Sequence, residues 1–145
     1  MMDRKRVESK ILLMLKYIHR LQEFESVTEE EYLNDFDLQL ISERLIQLLV
    51  EAATDISSYL LVELHQVTPS TYVDSFILAG QNGIITQDLA ATLSKSGGMR
   101  NRLVHNYDEI NHKIVFFAIS RALEEYSIYI RQVNNYLNSL EVNNG

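Results

Sequence analysis

Apolar residues in this chain recur every three or four positions, and no stretch alternates with period two. That pattern suits amphipathic helices and leaves no strand to pair. It is clearest from about Asp35 to Glu63. There Leu38, Ile41, Leu45, Leu48, Ala52, Ile56 and Tyr59 form one stripe, and Ile46, Leu49, Ala53 and Leu60 form a second beside it. A helix apolar over so wide an arc belongs at the centre of a bundle or is shared with a second subunit. Its polar side carries Glu43, Gln47, Glu51 and Asp55, each four apart and so stacked on one face. Such a row destabilises an isolated helix slightly and becomes tolerable when arginines from elsewhere reach it.

The other elements follow the same logic. Val7, Ile11, Met14, Ile18 and Leu21 place a helix over about 4–25, with Leu12 and Leu15 widening its stripe. Between Glu23 and Asp37 lie seven acids and no base, which reads as a solvated acidic connector or as a surface for a basic partner. Thr68-Pro69-Ser70 breaks the pattern, with Ser70 a candidate N-cap for a short helix over about 71–79. Asn82-Gly83 marks a turn, and Thr86 caps a fourth helix with Asp88 in its first turn. Gly97-Gly98 falls inside that helix and predicts either a kink or stop, or the close approach of another backbone. The last helix spans about 111–140 on Phe116, Ile119, Leu123, Tyr126, Ile130, Val133, Leu137 and Leu140, with a frayed tail over 142–145. The expectation is an all-α bundle of about five helices in one domain, 1–145.

Composition narrows the function. The chain has no cysteine, so a disulfide framework, a thiolate metal site and a cysteine nucleophile are excluded. The N-terminal MMDRKRVESK is charged and has no signal-peptide character. The longest apolar stretches read as shorter than the ~20 residues of a membrane span, so a cytoplasmic protein is expected. A net charge of −7 argues against indiscriminate nucleic-acid binding. Yet Leu89 to Tyr107 contains no acid at all and holds Lys95, Arg100, Arg102 and His105.

That segment reads Gly98-Met99-Arg100-Asn101-Arg102-Leu103-Val104-His105-Asn106-Tyr107. Arg100, His105 and Tyr107 form an Arg-x4-His-x-Tyr triplet. With eight arginines, four histidines and eight tyrosines in 145 residues, roughly 0.01 such triplets are expected by chance. The motif, its flanks (Asp108-Glu109-Ile110-Asn111 after it) and the segments Ser42–Leu48 and Glu51–Ile56 resemble the HepT toxins of the HEPN superfamily. The resemblance implies a HEPN-type bundle, active as a homodimer with the motif at the subunit interface. It implies a metal-independent endoribonuclease of a prokaryotic type II toxin–antitoxin pair, needing no cofactor. It also implies an MNT-type nucleotidyltransferase antitoxin that moves AMP from ATP to the motif tyrosine, here Tyr107.

The residue chemistry fits that reading. Cutting RNA without metal needs a group to move protons and cations to hold the phosphorane. Histidine titrates near neutrality, and arginine presents a fork that never deprotonates. Arg100 and His105 are therefore the catalytic candidates, and Asn101 and Arg102 the candidates for positioning phosphate. On an ideal helix Arg100 and His105 lie about 140° apart. Either the helix ends near Asn106, with Asp108 capping the next helix, or the working set combines two chains. His19, His65 and His112 read as structural. Arg100 and Arg102 are also candidates to pair with Glu51 and Asp55. The competing reading is a non-catalytic helical adaptor that binds and regulates a nucleotidyltransferase.

Overall fold

A computed structural model describes residues 2–105 and 110–144, with the side chains of 101, 104, 105 and 142–144 left aside. Among the described residues there are six α-helices and no strand. They are α1 (Arg4–Gln22), α2 (Glu29–Leu33), α3 (Phe36–His65), α4 (Tyr72–Gln81), α5 (Gln87–His105) and α6 (His112–Asn144), with a 3-10 turn at Glu23–Ser26.

α1 begins at Asp3, whose carboxylate accepts from the Lys5 N–H at 3.0 Å. It buries the stripe read from the sequence, Val7, Ile11, Met14, Ile18 and Leu21. Leu12 and Leu15 do not join it; they are 68% and 47% exposed. They sit about 140° and 80° from the stripe's centre, too far round to face the core. The helix stops at Gln22 and tightens into the 3-10 turn, which turns Phe24 inward.

The acidic connector is structured. Thr28 and Glu31 form a reciprocal capping box, with Glu31 N–H to Thr28 Oγ1 at 3.2 Å and Thr28 N–H to Glu31 Oε1 at 3.3 Å. The acids Glu29, Glu30 and Glu31 fill the first turn of α2, where the helix end is positive. Asp35 caps α3 by accepting from Leu38 N–H. The connector is therefore helical at Glu29–Leu33 rather than a loop, while its acids stay mostly solvated, as expected: all but Glu29 are exposed.

α3 runs through the middle of the bundle, touching α1, α2, α4, α5 and α6. Leu45, Ile46, Leu49, Val50, Ala52, Ala53, Ile56, Leu60 and Leu61 are all buried within the one chain. Much of its wide apolar arc is buried inside the monomer, while Leu38, Ile41 and Tyr59 are partly buried and Leu40 and Val62 are exposed. By length and composition α3 could cross a membrane, with an apolar window of mean hydropathy 1.4, contrary to the expectation of short apolar stretches. Over half of that window is buried in the bundle, as a core helix requires. Gln66 ends the helix in the left-handed region at φ 55°, and the Val67 N–H returns to the Leu61 carbonyl.

Thr71, not Ser70, caps α4, accepting from Asp74 N–H at 2.9 Å. Thr86 caps α5 as read. α5 runs as one helix through Gly97 and Gly98, so no early stop occurs there. A close helix approach is seen at Gly80 of α4. A Cβ built there would lie 2.6 Å from the Ala90 Cβ of α5. α6 starts at His112, where the Asn111 side chain accepts from Lys113 N–H at 3.1 Å; Asp108, the expected cap, lies outside the described residues. α6 continues through Asn144, past the predicted limit at Leu140. Its tyrosines pack rather than form a stacking platform. The Tyr129 hydroxyl pairs with Ser57 Oγ at 2.6 Å and donates to the Ala53 carbonyl at 2.8 Å, both on α3. Tyr136 meets His65 Nε2 at 2.7 Å.

Gly80→Ala is expected to destabilise the protein by about 1–3 kcal/mol, because neither helix backbone can give way cheaply. Urea unfolding checks this; an unchanged midpoint would show that α4 and α5 separate freely.

Candidate active site on the α5–α6 hairpin

Arg100 points into the bundle. Its Nη2 donates to Glu51 Oε1 of α3 at 2.7 Å, and its guanidinium lies over the Tyr72 ring of α4, 4.3 Å from the centroid. Its side chain is only 14% exposed. An arginine so buried needs both a counter-ion and a π face. Arginine carries five N–H donors, and the Nε of Arg100 is buried with no acceptor among the described residues. Arg102, two residues on and about 200° round the helix, is exposed. With Met99, Leu103, Ile110, Asn111 and Ile114 it lines a cavity of about 190 Å³ between α5 and the start of α6.

A smaller cleft of about 50 Å³ continues along the same two helices, beside Met99, Lys95 and Arg121. There Ser96 donates to Glu125 at 3.3 Å. Burial pushes the Glu125 carboxyl up, while Ser96, Arg121 and Lys95 pull it back. No described carboxylate lies within ion-pair distance of Lys95, Arg102 or Arg121.

The acid row of α3 is distributed among several segments. Glu51 takes Arg100, Asp55 takes Lys10 of α1 at 3.2 Å, and Glu43 takes His112 Nδ1 of α6 at 3.0 Å. Gln47 accepts from Arg44 at 3.3 Å. The expected pairing of Arg100 with Glu51 is present, whereas Asp55 binds Lys10 rather than Arg102. Glu43 is buried, not on a solvated face. Burial raises its pKa, and the adjacent His112 pulls it down by less.

Of the five candidate residues, the structure places the side chains of Arg100 and Arg102, on opposite sides of α5. His105 is the last residue of α5. The side chains of Asn101 and His105 lie outside the described residues, as do Asn106, Tyr107 and Asp108. Tyr72 and the Glu43–His112 pair were not legible as site neighbours. A lone tyrosine at a helix start carries no signal, and His112 reads as an ordinary structural histidine.

A bundle of this order, with an arginine–histidine–tyrosine segment at its α5–α6 hairpin, defines a HEPN-type domain. The family model described as ribonuclease HepT-like matches residues 14–133, and the chain belongs to that family. It is 43% identical over 138 residues to the tRNA nuclease HepT of Aphanizomenon flos-aquae, covering 95% of this chain and 94% of that protein. It is 33% identical over 122 residues to the mRNA nuclease HepT of Shewanella oneidensis, covering 84% and 91%. Its fold matches the tri-AMPylated Shewanella oneidensis HEPN toxin solved in complex with MNT antitoxin. That match has a TM-score of 0.82 and 31% identity over 89% of this chain and 96% of that one.

The raised pKa of Glu43 makes stability pH-dependent. The folded state keeps a proton that the unfolded carboxyl, at its ordinary value of 4.5, has released. Stability contributed there is present at low pH and is lost as pH rises above that value. Glu43→Gln has no proton to lose. Its unfolding free energy relative to wild type is expected to rise as pH climbs from about 4.5 toward neutrality. Urea titrations at several pH values check this; a flat difference would show Glu43 to be unperturbed.

Proposed function

We propose that this chain is the ribonuclease toxin of a toxin–antitoxin pair, cutting RNA by attack of a ribose 2′-OH on the neighbouring phosphorus. A new P–O2′ bond forms and the P–O5′ bond breaks. The products are a 2′,3′-cyclic phosphate and a 5′-hydroxyl. His105 carries the proton and Arg100 stabilises the phosphorane, with Arg102 and Asn101 holding neighbouring phosphate oxygens. No metal takes part in this scheme, and a homodimer joins two motifs at one cleft.

The observation that carries the reading is the state of Arg100. Its guanidinium is held by Glu51 and Tyr72, yet the buried Nε has no acceptor among the described residues. A buried unpaired donor costs about 1–3 kcal/mol, and a phosphoryl oxygen would remove that cost once the contacts covering the Nε open to admit it. Support also comes from the family and from two relatives named as nucleases. The solved neighbour bound to an MNT antitoxin supports a nucleotidyltransferase partner. In this reading the partner transfers AMP from ATP to the Tyr107 hydroxyl, releasing pyrophosphate. The added phosphodiester competes for the arginines, and the nucleoside fills space needed by RNA.

His105→Ala and Arg100→Ala are each expected to slow RNA cleavage in EDTA by about 10²–10³-fold. Circular dichroism should show both still folded. Cleavage that needs magnesium, or leaves 5′-phosphates, would refute the scheme. RNA left uncut by wild type would favour the adaptor reading.

Tyr107→Phe is expected to gain no adenylyl mass when incubated with the partner and ATP-Mg²⁺, while wild type gains it. Intact-mass spectrometry decides; equal labelling of both would place the acceptor elsewhere.

A further inference from the structure

His105 closes α5 and His112 opens α6, so residues 106–111 join two helix ends. Both arms of this hairpin are tied to the same helix. Before the connection, Arg100 pairs with Glu51. After it, His112 pairs with Glu43. Glu43 and Glu51 are eight residues apart, about 12 Å along α3. One central helix therefore holds both the end of α5 and the start of α6.

The second tie has unusual chemistry. The Glu43 side chain is 3% exposed and that of His112 is 33% exposed. Glu43 Oε1 and His112 Nδ1 lie 3.0 Å apart, and neither makes a well-aligned hydrogen bond to any described group, the other included. A buried pair of this kind is a poor source of stability, and an apolar pair of the same volume would often do as well. What it does supply is a fixed close approach of α6 to α3, because each of these buried atoms has only the other as a charged neighbour within 4 Å among the described residues. The neighbouring contacts are weaker guides. Lys113 meets Glu29 of α2 at 3.5 Å across exposed surface, a pairing worth little. Tyr32 of α2, pushed up to about 12 by burial, stays neutral and bonds Ser42.

We propose that Glu43 and His112 are positioning residues for the motif: their contact sets where the 106–111 connection re-enters the bundle, and hence how His105 and Tyr107 stand to Arg100. The proposal rests on the ribonuclease reading above for its kinetic consequence, but not for its structural one. Neither residue is asked to touch RNA.

The test compares full-length wild type with Glu43→Gln, His112→Asn, the double variant and Asp55→Asn. The last loses a tie from the same acid row, but to Lys10 of α1. Cleavage is measured well below each melting temperature. Each single variant is expected to lose about 10–100-fold in kcat, since a displacement near 1 Å can cost that much, with KM changed less than about twofold. The double variant should be no worse than either single one, because one contact is lost only once. Asp55→Asn should cleave at the wild-type rate. If Glu43→Gln does not fold, His112→Asn, whose side chain is already partly solvated, carries the comparison. A second readout is hydrogen–deuterium exchange of peptides covering 106–111, expected to quicken in both single variants and not in Asp55→Asn. Folded variants with wild-type kcat and unchanged exchange would overturn the proposal and leave the pair a packing contact. A wild type that cuts no RNA would refute the ribonuclease reading alone, and the exchange measurement would still decide the positioning role.

Discussion

A helix surrounded by other helices cannot carry a bare charge, and α3 carries three acids along one line. Burial in a low-dielectric interior makes an unpaired carboxylate costly, which applies fully to Glu43 and in part to Glu51, while Asp55 is 57% exposed and pairs at the surface. Lys10 comes from α1, Arg100 from α5 and His112 from α6. The row that would weaken α3 in isolation becomes the means by which three other helices are registered against it. Apolar packing brings the helices together but is tolerant of small slides. The charged contacts set the register.

The candidate site inherits its rigidity from that arrangement. Arg100 is a buried cation whose place is set by Glu51 below it and the Tyr72 ring beside it. Its position depends on α3 and on α4, whose start is fixed by Thr71 and whose body is pressed against α5 at Gly80. Arg102, on the outer side of the same helix, stays exposed beside the cavity at Met99 and Asn111. One arginine is held in place by other helices and the other stands exposed at the surface.

Several details show how local signals mislead. The acids between Glu23 and Asp37 look like a solvated loop because composition alone cannot tell a loop from a row of helix starts. Glu31 of the capping box and Asp35 at the start of α3 use two of those acids as caps. Gly97-Gly98 draws the eye as a pair, yet the glycine shown to hold two helices close is the single Gly80. Leu12 and Leu15 look like core and are not, because α1 meets its neighbours along one narrow line.

The sequence by itself determined the helical class, because a 3.6-residue periodicity has no other way to bury its apolar face. It also determined the extent of the long helices to within a few residues and the stripes that fill the core. The motif segment was legible as a rare triplet in an acid-free stretch. Only the tertiary structure decided which acid meets which base, since Glu43, Glu51 and Asp55 are alike in sequence and differ only in what the fold brings to them. It alone decided that Arg100 turns inward and Arg102 outward, because the faces of α5 become inside and outside only once α3, α4 and α6 are in place. Spacing along one chain sets angles around one helix; partners separated by 49 residues, as Glu51 and Arg100 are, meet only through the packing of the whole bundle.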